Sequence, residues 1–424
     1  MISTLRNAWR IPDIRKKMIF TLLMLFVFRI GSAIPVPYMN KDIIRSIFES
    51  NQGGLLQFMD LMAGGTFSNF SIFATNIYPY ITASIVIQLL TIAIPKLEEL
   101  AKQGEEGKKK IGMYTKITAI VLATIQASGY TFGLFKQALE TTNSIQTLIV
   151  IISMVAGTSF LIWLGDLITE NGIGNGTSLI IFIGIISALP SNTISAFRLM
   201  AADPTYIIKL VAFLIVALII IAAVVAITQG ERRIAVQYAK RVVGRKMYGG
   251  QSTHIPIKVL MTGVLPVIFA SSLLAVPQTI AMFNDGPLSQ WMLNYLTPQG
   301  AVGIWVYSIL NILLIIFFTY FYTAIQFNTV EYAKNLQQNG GFVPGIRPGR
   351  PTSEYLGKVV NRIVIVGGLG LAVLSIMPII LSKIFGMNIN FGGTAIIIVV
   401  GVVLDTVKQL EAQMLMRHYK GFLK

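Results

Sequence analysis

Side chains able to build a covalent or metal-centred site are scarce in this chain of 424 residues. It has no cysteine, so neither a disulfide nor a thiolate metal site is available. His254 and His418 are the only histidines, and a metal site would need carboxylates to complete it. The nucleotide-binding pattern GxxxxGKS/T is absent, as are HExxH and GxSxG. No catalytic residue, cofactor or metal is therefore expected, and any work must draw its energy from a partner or a gradient. The spacings that remain are physical in kind. Ile77 and Ile81 are four apart, as are Thr177 and Ile181, which puts each pair on one helix face. Two stretches are electrostatic: ERRIAVQYAKRVVGRKMYGGQSTHIPIK, 231 to 258, is strongly basic, and NGGFVPGIRPGRP, 339 to 351, sets Arg347 and Arg350 among three prolines and four glycines. Each also has a plain reading. The isoleucines suit a core or a lipid face, and basic loops orient a membrane protein and meet anionic lipid.

The elements that position these residues follow from composition. Hydrophobic residues make up 54% of the chain, charged residues 12%, and mean hydropathy is +0.70, which marks an integral membrane protein. Ten stretches are long and apolar enough to span a bilayer: 18 to 34, 72 to 94, 113 to 135, 145 to 168, 177 to 196, 207 to 228, 257 to 281, 302 to 327, 359 to 381 and 393 to 410. The first is not a cleaved leader, since it contains Arg29, runs into IPVP and precedes nine more spans. All but seven of the 34 Lys and Arg residues fall on one side of this topology. The exceptions are Lys41, Arg45, Lys136, Arg198, Lys209 and Lys383 on the other side and Arg29 within a span. Both termini are expected in the cytoplasm. Ten spans divide into two fives of opposite sense, so an inverted repeat is allowed, although no clear sequence echo links the halves.

Some spans are interrupted. MAGGTFSNFSIFATNIYPYITASIVIQLL, 62 to 90, carries Gly64, Gly65, Ser68, Asn69, Asn76 and Pro79, residues tolerated at membrane depth only against protein or water. Pro79 suits the first turn of a fresh helix, leaving 55 to 71 as a separate short element. NGIGNGTSLIIF, 171 to 182, opens another span with three glycines.

Eight stretches in order resemble the SecY family, the central subunit of the bacterial protein-conducting channel. They are VFRIGSAIPVP (27 to 37), SIFATNIYPYITASIVIQLL (71 to 90), GIGNGTSLIIF (172 to 182), RRIAVQYAKR (232 to 241), GGQSTHIPIKV (249 to 259), GVLPVIFA (263 to 270), GGFVPGIRPG (340 to 349) and GGTAIIIVVGV (392 to 402). The resemblance implies an all-α polytopic membrane protein of ten helices, in two inverted pseudo-symmetric halves (1 to 206 and 207 to 424) around an hourglass pore. It implies a waist ring at Ile77, Ile81, Thr177, Ile181, Ile268 and Ile398, where Thr177 departs from the usual apolar residue. It implies a re-entrant plug at about 55 to 70, including Leu61, Met62, Gly64, Gly65, Phe67, Ser68 and Asn69. A lateral gate would include Gln88, facing a position where Leu260 replaces the family's asparagine. The cytoplasmic loops, 229 to 256 and 328 to 358, would receive the SecA ATPase or the ribosome through Lys240, Arg241, Arg245, Lys246, Arg347 and Arg350. Further implied partners are SecE-type and SecG-type small membrane subunits, signal peptides, nascent polypeptides and membrane lipids, at the bacterial cytoplasmic membrane.

The competing reading is a secondary transporter or facilitator for a small solute, which also uses broken helices and inverted repeats. Coupling ions would need ionisable groups near the midplane, and the candidates are sparse: Arg29, Asp166 and Asp405, the last two near span ends.

Overall fold

The computed structural model describes residues 2–50, 60, 64–140, 143–202, 206–238, 241–243, 246–248, 252–281, 286–297, 302–385 and 393–420. A short helix α1 (Ile2–Arg10) leads into α2 (Pro12–Gly31), and α3 (Lys41–Ser50) follows. The next elements are α4 (Tyr78–Ala93), α5 (Pro95–Lys102), α6 (Glu105–Gly129) with a π turn over Tyr130–Leu134, α7 (Ser144–Asn171), α8 (Gly176–Ala202) and α9 (Tyr206–Gln229). The remaining helices are α10 (Leu265–Ala281), α11 (Pro287–Tyr295), α12 (Gly303–Gln326), α13 (Thr329–Gln338), α14 (Arg350–Phe385) and α15 (Gly393–Lys420). Each of the ten expected spans thus has a helix, although the boundaries move. The first starts at Pro12, whose fixed φ suits a helix's first turn.

Among the described residues, Glu105–Leu134, Ser144–Asn171, Gly303–Gln338 and Arg350–Ile380 are each long and apolar enough to cross a bilayer alone. Helices α4 and α5, bent by 101° at their junction, add a fifth if taken together. Gly176–Pro190, Leu214–Gln229 and Leu265–Pro277 are shorter apolar runs. Helix α10 starts later than expected for the seventh span, because Ile257 and Lys258 belong to a strand and the helix begins only after Gly263, whose φ is +60°.

One apolar cluster joins side chains from α2, α4, α7, α8, α9, α10, α12, α14 and α15. Outward faces are apolar as well: α2 buries Thr21, Leu25 and Phe28 on one side and exposes Leu22, Leu23, Phe26 and Ile30 on the other. Such a helix needs an apolar surround, and the multi-pass membrane reading supplies one. Without a hydrophobic drive between helices in lipid, close backbone packing carries more of the association. At the α7/α8 crossing a Cβ on Gly176 would lie 1.9 Å from the carbonyl oxygen of Gly165, so no larger residue fits there.

The sequence reading did not anticipate a small sheet. Strands β1 (Glu231–Tyr238), β2 (Arg241–Val243), β3 (Lys246–Tyr248), β4 (Ser252–Lys258) and β5 (Gly341–Phe342) lie in the two basic loops. A three-stranded sheet runs in the order β4, β1, β5, and β2 pairs with β3 as a hairpin. In β1, Ile234 and Val236 point inward while Arg232, Arg233 and Gln237 stay exposed, the alternation of a half-buried strand.

Candidate functional site

Five of the six expected ring residues fall in one buried apolar cluster. Ile77, Ile81, Ile181, Ile268 and Ile398 all belong to the large apolar cluster, and none is more than 4% exposed. They come from α4 and its N-cap, α8, α10 and α15, four elements spread from one end of the chain to the other. Thr177 is half-buried at the entrance of α8. The helix starts that carry these residues are built locally. Asn76 adopts a left-handed φ of 51° and its Oδ1 accepts the Ile77 amide at 2.8 Å, while Pro79 sits in the first turn of α4. At α8, Asn175 Oδ1 accepts the Ser178 amide at 3.1 Å and Thr169 Oγ1 accepts the Gly176 amide at 2.9 Å. An asparagine or threonine oxygen answers helix amides that have no partner within their own helix.

A ring of such side chains would hold back ions while yielding to a chain. Isoleucine is stiff about χ1, and a narrow apolar constriction disfavours hydrated ions; an extended peptide can displace side chains without breaking polar contacts.

The interrupted stretch before α4 is folded, not frayed. The Val36 amide donates to the Phe70 carbonyl at 2.9 Å and the Ile72 amide to the Ile34 carbonyl at 3.0 Å, tying it to the chain that leaves α2. Phe67 and Phe70 are buried and meet Phe135 edge to face, with ring centroids 5.5 and 4.9 Å apart. Thr75 and Thr158 share a hydroxyl hydrogen bond in the interior. Asp60 Oδ1 accepts the amides of Phe67 at 3.1 Å and Ser68 at 2.7 Å, and Gly64 and Gly65 both take positive φ. Ser68 is half-buried and Asn69 exposed. Leu61 and Met62 lie outside the described residues.

Of the two expected gate positions, Gln88 is half-buried and its Nε2 donates to Ser84 Oγ at 3.1 Å, one turn away on the same helix. Leu260 is buried but precedes α10 instead of lying within it. A Cβ on Gly367 of α14 would meet its Cδ2 at 3.1 Å, so Leu260 faces the ninth span's helix.

The two basic loops, separate in the sequence reading, share one sheet. β1 pairs antiparallel with β4, and its end pairs with β5 through Gln237 with Phe342 and Tyr238 with Gly341. Beneath it, Ile234, Val236 and Ile257 pack with Leu336, Val343 and Leu356. Arg347 and Arg350 are exposed beside this platform. Thr352 Oγ1 donates to the Arg347 carbonyl at 2.8 Å, and Arg350 Nε donates to Glu354 at 2.9 Å. Arg241 and Lys246 lie on the β2/β3 hairpin, whereas Lys240 and Arg245 lie outside the described residues.

The SecY family profile matches residues 71–407. The chain belongs to the SecY family. Its relatives include the protein translocase subunit SecY of Halalkalibacterium halodurans, 46% identical with 100% of both chains covered, and that of Bacillus subtilis, 42% identical with the same coverage. The Thermotoga maritima protein of that name is 41% identical, covering 100% of this chain and 98% of the relative. Among solved structures, one described as a protein-conducting channel superposes with a TM-score of 0.67 at 18% identity, covering 94% of this chain and 92% of the other. Sec61 in the canine ribosome-channel complex superposes with a TM-score of 0.63 at 17% identity and the same coverage. The likeness to these channel structures extends over 94% of the chain. Sequence reasoning missed Asp60, and also Ser187, whose Oγ lies 3.2 Å from the Gly64 carbonyl oxygen, because a lone carboxylate and a lone serine carry no pattern until their amide and carbonyl partners are known.

Proposed function

We propose that this chain is the central subunit of a protein-conducting channel, which passes unfolded secretory polypeptides across the bacterial cytoplasmic membrane and releases transmembrane segments sideways into it. It is a channel and not itself an enzyme. The observation that carries the reading is the convergence of Ile77, Ile81, Ile181, Ile268 and Ile398 from four distant elements into one buried apolar cluster. With Thr177 they form the waist ring between an N-terminal half, 1 to 206, and an inverted C-terminal half, 207 to 424. Residues from about 55 to 70 act as the stopper, and Gln88 and Leu260 belong to the lateral gate. The distribution of Lys and Arg supports cytoplasmic termini.

The platform built from both basic loops is the docking surface for the driving partner. Arg347 couples a SecA-type motor, and Lys240, Arg241, Arg245, Lys246 and Arg350 add positive charge able to meet ribosomal RNA phosphates. Ribosome docking gains support from the structural neighbours described as the canine ribosome-channel complex and as the yeast Ssh1 complex bound to the 80S ribosome. SecE-type and SecG-type subunits and anionic lipid complete the assembly.

The test is reconstitution of the chain with SecE-type and SecA-type partners in vesicles. A secretory precursor should become protease-protected on ATP addition. Uptake of a small solute without precursor protection would overturn the channel reading in favour of a transporter.

A further inference from the structure

Helix α15 packs against both α9 and α10. Three of its residues, Gly401, Asp405 and Lys408, stand four and then three positions apart and so follow one another down a single face. A Cβ on Gly401 would collide with Val264, the residue before α10, so nothing larger than glycine fits at this crossing. One turn on, the Asp405 carboxylate lies over the backbone of Gly263: a Cβ there would be 3.1 Å from Oδ2, and Gly263 has φ +60°. Below it, Lys408 Nζ donates to the Thr228 carbonyl at 3.3 Å, in the last turn of α9. Carbonyls there have no partner within their own helix, and a cation also complements the helix dipole.

These contacts lie at the root of the platform. The chain passes from α9 to β1 at Gly230 and leaves β4 at Val259, and the Val259 amide donates to the Gly230 carbonyl at 2.8 Å, closing the sheet at the foot of α9. Lys258, the last residue of β4, and Lys408 both act by charge on the Asp405 carboxylate. Toward its other end α15 carries Ile398, which shares the large apolar cluster with Val264 and with Ile268 of α10. From Ile398 to Lys408 is ten residues, about 15 Å of helix. One stiff element therefore runs from the platform's root to the ring and touches the entry of α10 on the way.

We propose that Asp405 and Lys408 couple the docking platform to the pore: force on the platform moves the Gly230/Val259 root, and α15 carries that movement to the entry of α10 and to the ring position at Ile398. The proposal rests on the channel reading and on the two basic loops as the docking surface. Lys408 is the link to the platform, because it grips α9 at Thr228, just before the chain becomes sheet. Asp405 is the link to α10, because its carboxylate rests on the glycine turn from which that helix starts. The positive φ of Gly263 keeps that turn free of a side chain that would hold the carboxylate off. In this scheme Asp405 and Lys408 are positioning residues.

Lys408 also caps α9, a role that needs no coupling. The experiment separates the two. The full chain is reconstituted with SecE-type and SecA-type partners, and three quantities are read: motor affinity, precursor protected per ATP hydrolysed, and amide exchange at 264 to 268 with and without docked motor. In the parent, docking should change exchange at the start of α10. Lys408→Met and Asp405→Asn should each cut precursor protected per ATP about fivefold and abolish the docking-induced change in exchange, with motor affinity at the parent level. Lys408→Arg keeps the charge at the end of α9 and should restore most of both. A loss of motor affinity in step with transport, or faster exchange in 232 to 238 without motor, would overturn coupling in favour of a damaged platform. Parental transport and parental exchange in both variants would overturn it as well. A parent complex that protects no precursor on ATP addition would instead remove the channel reading itself.

Discussion

Tyr238 of β1 pairs with Gly341 of β5, and through this pair the loop between the sixth and seventh spans becomes part of the same sheet as the loop between the eighth and ninth. Gly341 has no room for a side chain: a Cβ would lie 2.9 Å from the Tyr238 ring and 3.3 Å from Leu336. Gly341→Val should push the strands apart at a cost of about 1–3 kcal/mol. Hydrogen exchange should then accelerate in 232 to 238 as well as around 341. Faster exchange limited to the mutated loop would show that the two loops move independently.

Arg347 stands exposed on this platform while its carbonyl is pinned by Thr352. Arg347→Glu reverses a charge without touching the buried face of the sheet. ATP-driven precursor transport is expected to drop by at least about tenfold, equivalent to about 1.4 kcal/mol, with unchanged resting leak. A normal transport rate would end the assignment of this residue to motor coupling.

Thr177 brings a hydroxyl to the first turn of α8, and the other positions proposed for the ring carry isoleucine. Thr177→Ile replaces a group that attracts water by an apolar branch of greater bulk. Single-channel recording of the resting channel should register a lower leak. An identical leak would mean that Thr177 does not line the constriction.

Leu260 is buried in the apolar cluster against α14, and Gln88 already has a partner in Ser84. Leu260→Asn therefore places an amide in apolar surroundings, at about 1–3 kcal/mol if it stays unpaired. A weaker closed gate should admit signal sequences of lower hydrophobicity, measured as export across a graded signal series. The same threshold in variant and parent would separate Leu260 from gate opening.

Asp60 lies between the first two spans. Burial pushes its carboxyl above the usual carboxylate range, against the lowering effect of its bonds with Ser68 and Phe67. A raised value in the folded state means that the folded chain holds this proton to higher pH than the unfolded chain does. The seat around Phe67 and Ser68 is then fully stable below the ordinary carboxylate pKa, loses stability as pH rises to the elevated value, and stays weaker above it. Asp60→Asn keeps an oxygen acceptor without the buried charge, so it should abolish this loss and close at least as well at neutral pH. Asp60→Ala should instead loosen the seat by about 1–3 kcal/mol by leaving two amides unpaired. Leak measured from about pH 4 to about pH 8 separates these outcomes, and a parent channel indifferent to pH would contradict the buried-charge account.

The membrane class, the ten helical segments and the fresh start of a helix at Pro79 were legible in the residues, because hydropathy and proline act locally. The Ile77/Ile81 and Thr177/Ile181 pairs were visible as helix faces, while their meaning came from resemblance. The β1 strand was also written in the chain, as the alternation of Ile234 and Val236 with polar neighbours, but the density of basic residues around it masked that signal. The start of α10 was placed too early for a related reason: an apolar run such as IPIKVL suits strand and helix alike until its partner strand is known.

By itself the sequence determined that this protein lives in a bilayer, where its ten apolar segments lie and which family it belongs to, since these rest on composition and on residues close together in the chain. Tertiary structure alone decided that Ile77 and Ile398 join one buried apolar cluster, that Tyr238 joins two loops through Gly341, and that Arg29 and Ser187 both reach the carbonyl of Gly64. The physical reason is that backbone groups carry no sequence label. A carbonyl oxygen or strand edge is the same chemical group at every position, and only folding chooses which side chain reaches it.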